Sequence, residues 1–234
     1  MLSVSVIVPT LNEEEEISSF LDYVCGLESD LQVIVADGGS SDGTVEIAAA
    51  LVRVISAPRG RGAQMNAGAR EASGDVLWFL HADTRPHPGS LQAMRGVLEN
   101  PEVVGGAFEY NLDHPSRFFR ITENVSNRKN QACRLFFGDM GIFVRRTVFE
   151  RMGGFRDFPL MEDMDLCKRL KEQGSIEIIP LRINTSVRRW LDEGILKNLV
   201  RNWALQLLWK LGVSPHTLAR WYSFGSDQER TEDR

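Results

Sequence analysis

With 234 residues the chain can bury a sizeable core, and 43% hydrophobic against 25% charged residues excludes disordered and fibrous classes. A net charge of −5 disfavours a general nucleic-acid binder, which would carry a basic surface. Cys25, Cys133 and Cys167 are too few and too scattered for a disulfide framework, which fits a reducing cytoplasm.

Met1 to Pro9 is apolar but lacks the basic start of a signal peptide, and it runs straight into Asn12 and four glutamates. Val4–Val8 is β-branched and closed by Pro9, which predicts a buried strand. A helix follows, with Asn12 as candidate cap and acidic residues in the first turn, where they suit the dipole. Gln32–Ala36 is a second strand. It ends in the turn-rich Asp37–Thr44 and leads into a helix from Val45 to about Leu51. Arg53–Ile55 is a third strand, Arg59–Ser73 starts glycine-rich and turns helical, and Val76–Leu80 is a fourth, very apolar strand. Four alternations of strand and helix predict a parallel sheet with helices on both faces.

The second half is less regular. Val103–Leu112 reads as a strand with Gly105 and Gly106 near its start, Ser116–Leu135 as largely helical, and Gly141–Arg145 as strand-like. A helix from Thr147 stops at Gly153-Gly154, another spans Glu162–Glu172, and Ile176–Ile179 is a strand. Ile195–Leu211 is a helix in which Leu196, Leu199, Val200, Trp203, Leu207 and Leu211 recur at helical spacing. That stripe is expected to pack on the core or on a second subunit. The other reading is an interfacial helix beside a lipid acceptor, prompted by Trp209, Trp221, Tyr222 and Phe224. No run reaches the roughly 18 apolar residues a spanning helix needs.

Polar clusters follow the strands, at the carboxyl ends where such sheets bind ligands. Asp37 can accept hydrogen bonds from a flat ring or a ribose, or it can build turns together with Asp42. Asp83, within His81–Thr84, can hold a divalent cation that also grips phosphate oxygens, with His81 as helper or bystander. Arg59-Gly60-Arg61-Gly62 joins guanidinium groups to small residues, suiting phosphate or merely a solvated loop. Neither a P-loop nor a dinucleotide fingerprint occurs. Glu162, Asp163 and Asp165 crowd one helix start. Residues two apart do not share a face, so Glu162 or Asp163 is the candidate general base.

Taken in order, five segments resemble family-2 glycosyltransferases of the GT-A fold group. They are Val6–Glu13, Val33–Thr44, Gly60–Ala69, Gly74–Thr84, and Met152–Phe155 followed by Glu162-Asp163. The likeness spans residues 3 to 190 and is also similar to a small bacterial subgroup linked with arsenosugar biosynthesis. It implies an α/β GT-A fold: a Rossmann-like, mostly parallel central sheet flanked by helices, with a C-terminal helical extension. On that resemblance, residues 1–234 form one domain with a nucleotide-sugar-binding half (1–112), an acceptor-side half (113–194) and the extension (195–234).

The resemblance also implies roles. Pro9, Thr10, Asn12, Glu13, Asp37, Gly38, Arg61, Asn66, Ala82 and Arg189 would surround a nucleoside-diphosphate sugar donor. Asp83 would bind Mn²⁺ or Mg²⁺, and Asp163 would be the catalytic base of an inverting transfer to an acceptor hydroxyl. His81 stands where the family commonly has the first aspartate of Asp-x-Asp. Ser186-Val187-Arg188-Arg189-Trp190 lacks the glutamine of the processive Gln-x-x-Arg-Trp, which points to single transfer. The acceptor is a small molecule or a lipid. A homodimer and a peripheral contact at the inner face of the membrane, through the C-terminal helix, stay open. One rival is a sugar-nucleotide nucleotidyltransferase, whose glycine- and arginine-rich, lysine-containing loop is missing after the first strand. A non-catalytic nucleotide-sugar-binding module is the other, and the presence of both Asp83 and Asp163 speaks against it.

Overall fold

The computed structural model describes residues 1–186 and 194–227. The strands are β1 (Val4–Thr10), β2 (Gln32–Asp37), β3 (Arg53–Ser56), β4 (Val76–Phe79), β5 (Thr84–Arg85), β6 (Val103–Leu112), β7 (Phe143–Arg145) and β8 (Ser175–Thr185). They form one sheet in the order β3-β2-β1-β4-β7-β6-β8-β5. The helices are α1 (Glu14–Cys25), α2 (Thr44–Ala49), α3 (Arg61–Glu71), α4 (Ser90–Val97), α5 (Arg117–Cys133), α6 (Arg146–Arg151), α7 (Glu162–Lys171), α8 (Ile195–Lys210) and α9 (Pro215–Asp227). Among them no helix is long and apolar enough to cross a membrane.

Every residue of β1 is buried, as a central strand covered on both faces requires. Its side chains alternate between two cores. Val6 and Val8 join Ile17, Phe20 and Leu21 of α1 and Trp78 of β4 on one face. Ile7 joins Leu77, Phe79, Phe149 and Leu166 on the other. In α1, Ile17, Phe20, Leu21 and Val24 fall at helical spacing and bury that stripe.

The sheet is mixed but mostly parallel, as the α/β reading requires. The four strands of the alternating first half pair parallel, as expected, and the antiparallel pairs come with the second half: β4 pairs β7, β6 pairs β7 and β5 pairs β8 antiparallel. Pro9 lies inside β1 rather than closing it. It pairs opposite Ala36 of β2, while the pairing with β4 has already ended at Ile7. Ile7 faces β4, since its carbonyl accepts from Leu80 N, so Pro9, two residues on, turns its missing N–H to a side with no ladder left. Asn12 does not cap α1, whose cap is Glu13; it takes a left-handed φ of 56° instead. Two elements carry no period long enough to read and were not expected: β5 and α4.

The C-terminal stripe does not pack on the core, which leaves a second subunit or a lipid interface as its readings. Val200, Trp203, Leu207 and Leu211 lie exposed, whereas α8 turns Asn198 and Leu205 inward. Arg188, Arg189 and Trp190, and the side chains of Leu196 and Phe224, fall outside the described residues.

Gly105 and Gly106 let β6 pass close to its neighbours. A Cβ on Gly106 would sit 1.9 Å from the Glu177 carbonyl oxygen of β8, a backbone atom that cannot step aside. Gly106→Ala is expected to destabilise the fold by about 3 kcal/mol, the upper end for overpacking, read as a lower urea midpoint.

Candidate active site

β1 and β2 end side by side, and their following loops are sewn together. Gly38 N donates to Thr10 O at 2.9 Å. Asn12 N donates to Ser40 Oγ at 2.9 Å, Ser41 N returns a bond to Asn12 Oδ1 at 2.9 Å, and Glu13 N donates to Thr44 Oγ1 at 2.7 Å. Beneath them the buried Gln64 of α3 donates Nε2 to Thr10 O at 2.7 Å and to Ala36 O at 2.9 Å. One carboxamide therefore fixes both strand ends. Gly38 makes room for it, since a Cβ there would press on the Gln64 side chain at 3.0 Å.

Asp37 sits in the middle of this arrangement. Its Oδ2 accepts from Gly39 N at 2.8 Å and Ser40 N at 2.9 Å, and its Oδ1 accepts from the Ser40 and Thr10 hydroxyls. Burial pushes the Asp37 carboxyl up, but the bonds from Ser40, Gly39 and Thr10 outweigh it and hold the group below the usual carboxylate range. All four lone-pair positions are filled, so of the two readings of Asp37 the turn-building one is what the coordinates display. Asn12, Glu13, Glu14 to Glu16 and Asp42 line a cavity of about 270 Å³ beside this loop.

The second end of the site is assembled from four distant parts of the chain. Asp83 follows β4 in a turn where His81 O accepts from Thr84 N at 3.1 Å and from Thr84 Oγ1 at 2.7 Å. Ala82 is buried, and its carbonyl accepts from Arg85 at 3.3 Å. Ser186 N, just past β8, donates to Asp83 O at 3.3 Å. Thr185 Oγ1 donates to Asp139 O at 3.3 Å. Gly138 N, next to Asp139, donates to Asp163 Oδ2 at 2.8 Å. A Cβ on Gly138 would lie 3.0 Å from His81 Nε2 and 3.7 Å from Asp163 Oδ2, so both side chains crowd that glycine. Glu16, Asp83, Arg85, Asp113 and Asn184 to Ser186 line a cavity of about 280 Å³ at this end.

The electrostatics follow from this convergence. Burial first, then the charges of Asp163 and Asp83, push the Asp139 carboxyl up to about 6, with Arg61 pulling the other way. Asp139 was not singled out in the sequence. The available signal was an acid between turn glycines, Gly138-Asp139-Met140-Gly141, next to no other motif.

The three acids of α7 part ways. Asp163 faces Gly138 and accepts from Met164 N at 2.7 Å on its other oxygen. Glu162 turns inward onto Arg61 Nε at 2.8 Å and is 4% exposed. Its Oε2 has no hydrogen-bond partner among the described residues. Burial raises the Glu162 carboxyl against the pull of Arg61, and Asp163 adds to the rise. Asp165 is taken by Arg156 at 3.1 Å and Arg169 at 2.7 Å. Met161, just before the helix, holds a left-handed φ of 65°.

The remaining expected residues are placed as follows. Arg61 opens α3 after Gly60, whose φ is 128°, and nearly half of its side chain (46%) is exposed beside Glu162. Asn66 uses both ends of its carboxamide on Phe155, donating to its carbonyl at 2.8 Å and accepting from its N–H at 2.9 Å. It thus ties α3 to the turn before α7. Pro9 and Thr10 are buried at the end of β1, and Arg189 lies outside the described residues.

Among the described residues no three His, Cys, Asp or Glu side chains form a ready-made metal cage. A hard cation such as Mg²⁺ needs only one or two carboxylates when phosphates supply the rest. The repulsion that raises Asp139 is negative charge a cation would neutralise, so the oxygen donors here fit such an ion.

Residues 5–153 match the family described as Glycosyl transferase family 2. The chain belongs to that family. Among curated relatives, glycosyltransferase AglE of Haloferax volcanii is 32% identical over 171 residues, covering 65% of this chain and 55% of its own. Glucosyl-3-phosphoglycerate synthase from Mycobacterium tuberculosis, solved with Mn²⁺, UDP and phosphoglyceric acid, superposes with a TM-score of 0.60 at 25% identity. That likeness covers 91% of this chain and 79% of the synthase chain. The mannosyltransferase PcManGT from Pyrobaculum calidifontis, solved with GDP-Man and Mn²⁺, gives a TM-score of 0.63 at 24% identity, over 80% of this chain and 57% of its own, and shares the fold. The chain spans about half the length of the curated relatives it matches. The α/β GT-A architecture expected from the motifs thus agrees with the family and with these structures.

In the metal-free protein the raised Asp139 carboxyl keeps its proton when folded after the unfolded chain has lost it. Stability due to this group is therefore greatest at low pH and falls as pH rises from the ordinary carboxylate range through about 6. Asp139→Asn is expected to remove that loss, about 3 kcal/mol at neutral pH. Melting temperatures of the two proteins in EDTA should coincide near pH 4 and diverge in the variant's favour by about pH 7.

Proposed function

We propose that the protein is an inverting glycosyltransferase that moves a sugar from a nucleoside-diphosphate sugar to an acceptor hydroxyl in one metal-assisted, non-processive step. The observation that carries this reading is the contact relay joining Asp83 through Ser186 and Thr185 to Asp139, and through Gly138 to Asp163. It supports a reading in which a candidate cation ligand and a candidate proton acceptor work close together, since the charges of both Asp83 and Asp163 act on Asp139, at the carboxyl ends of the strands. Family membership and the Mn²⁺ and UDP of the mycobacterial synthase support the same chemistry.

On this reading the loops after β1 and β2 receive the nucleoside. Pro9, Thr10, Asn12, Glu13 and Gly38 shape that end, and Asp37 orients it, with Ser40 or Thr10 yielding a bond if the base approaches. Arg61, Asn66 and Ala82 hold the wall between the two ends, and Arg189 is assigned to the leaving diphosphate. A divalent ion on Asp83 would supply Lewis-acid stabilisation of that diphosphate. Asp163, steadied by Gly138 N and Met164 N, takes the acceptor proton as the hydroxyl oxygen attacks the anomeric carbon. Arg61 and Glu162 fix the helix start from which Asp163 projects. None of the relatives named above carries an arsenosugar description, so that subgroup gains no support from them.

Asp163→Asn should slow transfer by roughly 10²- to 10⁴-fold, the usual worth of a positioned base, while donor binding is kept. Wild-type turnover in that variant would remove Asp163 from the role. In a thermal-shift panel of nucleoside diphosphates, one base should raise the melting temperature more with Mn²⁺ than without it, and Asp83→Ala should erase the metal-dependent part. A flat panel in both conditions would sink the donor assignment.

A further inference from the structure

α5 is amphipathic in the reverse sense. Toward the protein it buries Glu123, Asn127 and Asn130 together with Phe119, and toward solvent it exposes Phe118, Ile121 and Val125. The polar face is committed to β6: Leu112 N donates to Glu123 Oε1 at 2.5 Å, and Asn127 bonds the N–H and carbonyl of Tyr110 at 3.3 and 2.9 Å. Arg120 closes the ring of bonds on Glu123 at 3.0 Å. With that register fixed, the apolar residues have nowhere to go but outward.

α8 repeats the pattern. Val200, Trp203, Leu207 and Leu211 form an exposed stripe at helical spacing, with Lys197 and Lys210, also exposed, toward its two ends. Trp221 of α9 is exposed as well. The C-terminal ends of the two helices lie within electrostatic range of each other, since the charge of Lys210 acts on Lys129 of α5. Scattered exposed apolar residues are ordinary, but two neighbouring helices that both turn a stripe outward are not.

Charge decides what covers them. In a chain of net charge −5, α5 and α8 together hold seven Arg or Lys (Arg117, Arg120, Arg128, Lys129, Lys197, Arg201, Lys210) and one acid, Glu123, which is buried. A second copy docked on this face would oppose like charges, the exposed Arg117, Arg128, Lys197 and Lys210 of each. Water would leave the apolar stripes unrewarded. A surface that is apolar below and anionic at its rim satisfies both.

We propose that α5 and α8 form a peripheral docking surface for an anionic lipid bilayer, with Phe118, Ile121, Val125, Val200, Trp203 and Leu207 entering the headgroup boundary and the basic residues facing lipid phosphates. The inference stands apart from the glycosyl-transfer reading, because it needs neither donor nor metal.

The test is co-flotation of the full chain with phosphatidylglycerol-containing vesicles and with pure phosphatidylcholine vesicles, at low and raised salt. Binding is expected only to the anionic vesicles and should weaken with salt. Lys197→Gln with Lys210→Gln should lower partitioning roughly 10- to 30-fold, and Ile121→Ser with Val125→Ser by at least about tenfold. Circular dichroism should show both pairs folded, since the substituted side chains are exposed. No binding to anionic vesicles overturns the proposal, as does binding that neither pair reduces. A dimer in sedimentation that Ile121→Ser with Val125→Ser dissociates, without vesicle binding, overturns it in favour of a second copy.

Discussion

Three carboxylates brought to one place set the terms for this molecule. Asp83, Asp139 and Asp163 come from three separate stretches of chain, and burial, reinforced by the charges of Asp163 and Asp83, pushes the Asp139 carboxyl up to about 6. Such a cluster survives only because the surrounding frame is stiff and because Arg61 offsets part of the charge. Strand ends, the turn at Gly138 and the first turn of α7 are all pinned by main-chain hydrogen bonds, so the acids cannot relax apart.

The two halves of the sheet divide the work. The parallel half, β3-β2-β1-β4, ends in loops that are knitted to each other and clamped from below by Gln64. The other half is mixed: β7 runs antiparallel to β4 and β6, which puts the turn at Asp139 before it at the end of β4, while β8, parallel to β6, finishes on that same side. Without the reversed β7, Asp139 would not be carried to Asp83.

Much of the first half was legible because its signals are local. Val4–Val8, Gln32–Ala36 and Val76–Leu80 are short β-branched or apolar runs bounded by turns, and strands lie at all three. Asp83 and Asp163 stood out because each ends a recognisable motif. Asp139 did not, since its importance comes from what surrounds it in space and not from adjacent residues. Gln64 was hidden for the same reason: a helical glutamine carries no mark that it will bury its carboxamide on two carbonyls 26 residues apart in the chain. The stripe of α8 left core, subunit and lipid open because periodicity reports that a face is apolar but not which way it turns. On α5 the direction is decided by Glu123 and Asn127, whose bonds to β6 outweigh the preference of Ile121 and Val125 for the interior.

Met161 repays a last look. At a φ of 65° a methionine sits where glycine would rest at ease, an arrangement that stores about 1 kcal/mol or more of backbone strain immediately before Glu162 and Asp163. Glycine would relieve the strain and, in the same stroke, widen the range of directions in which the helix could begin. The chain has kept the bulkier residue at the joint, and with it a narrow angular tolerance for the carboxylate that follows: aim is held by stiffness, at the expense of ease.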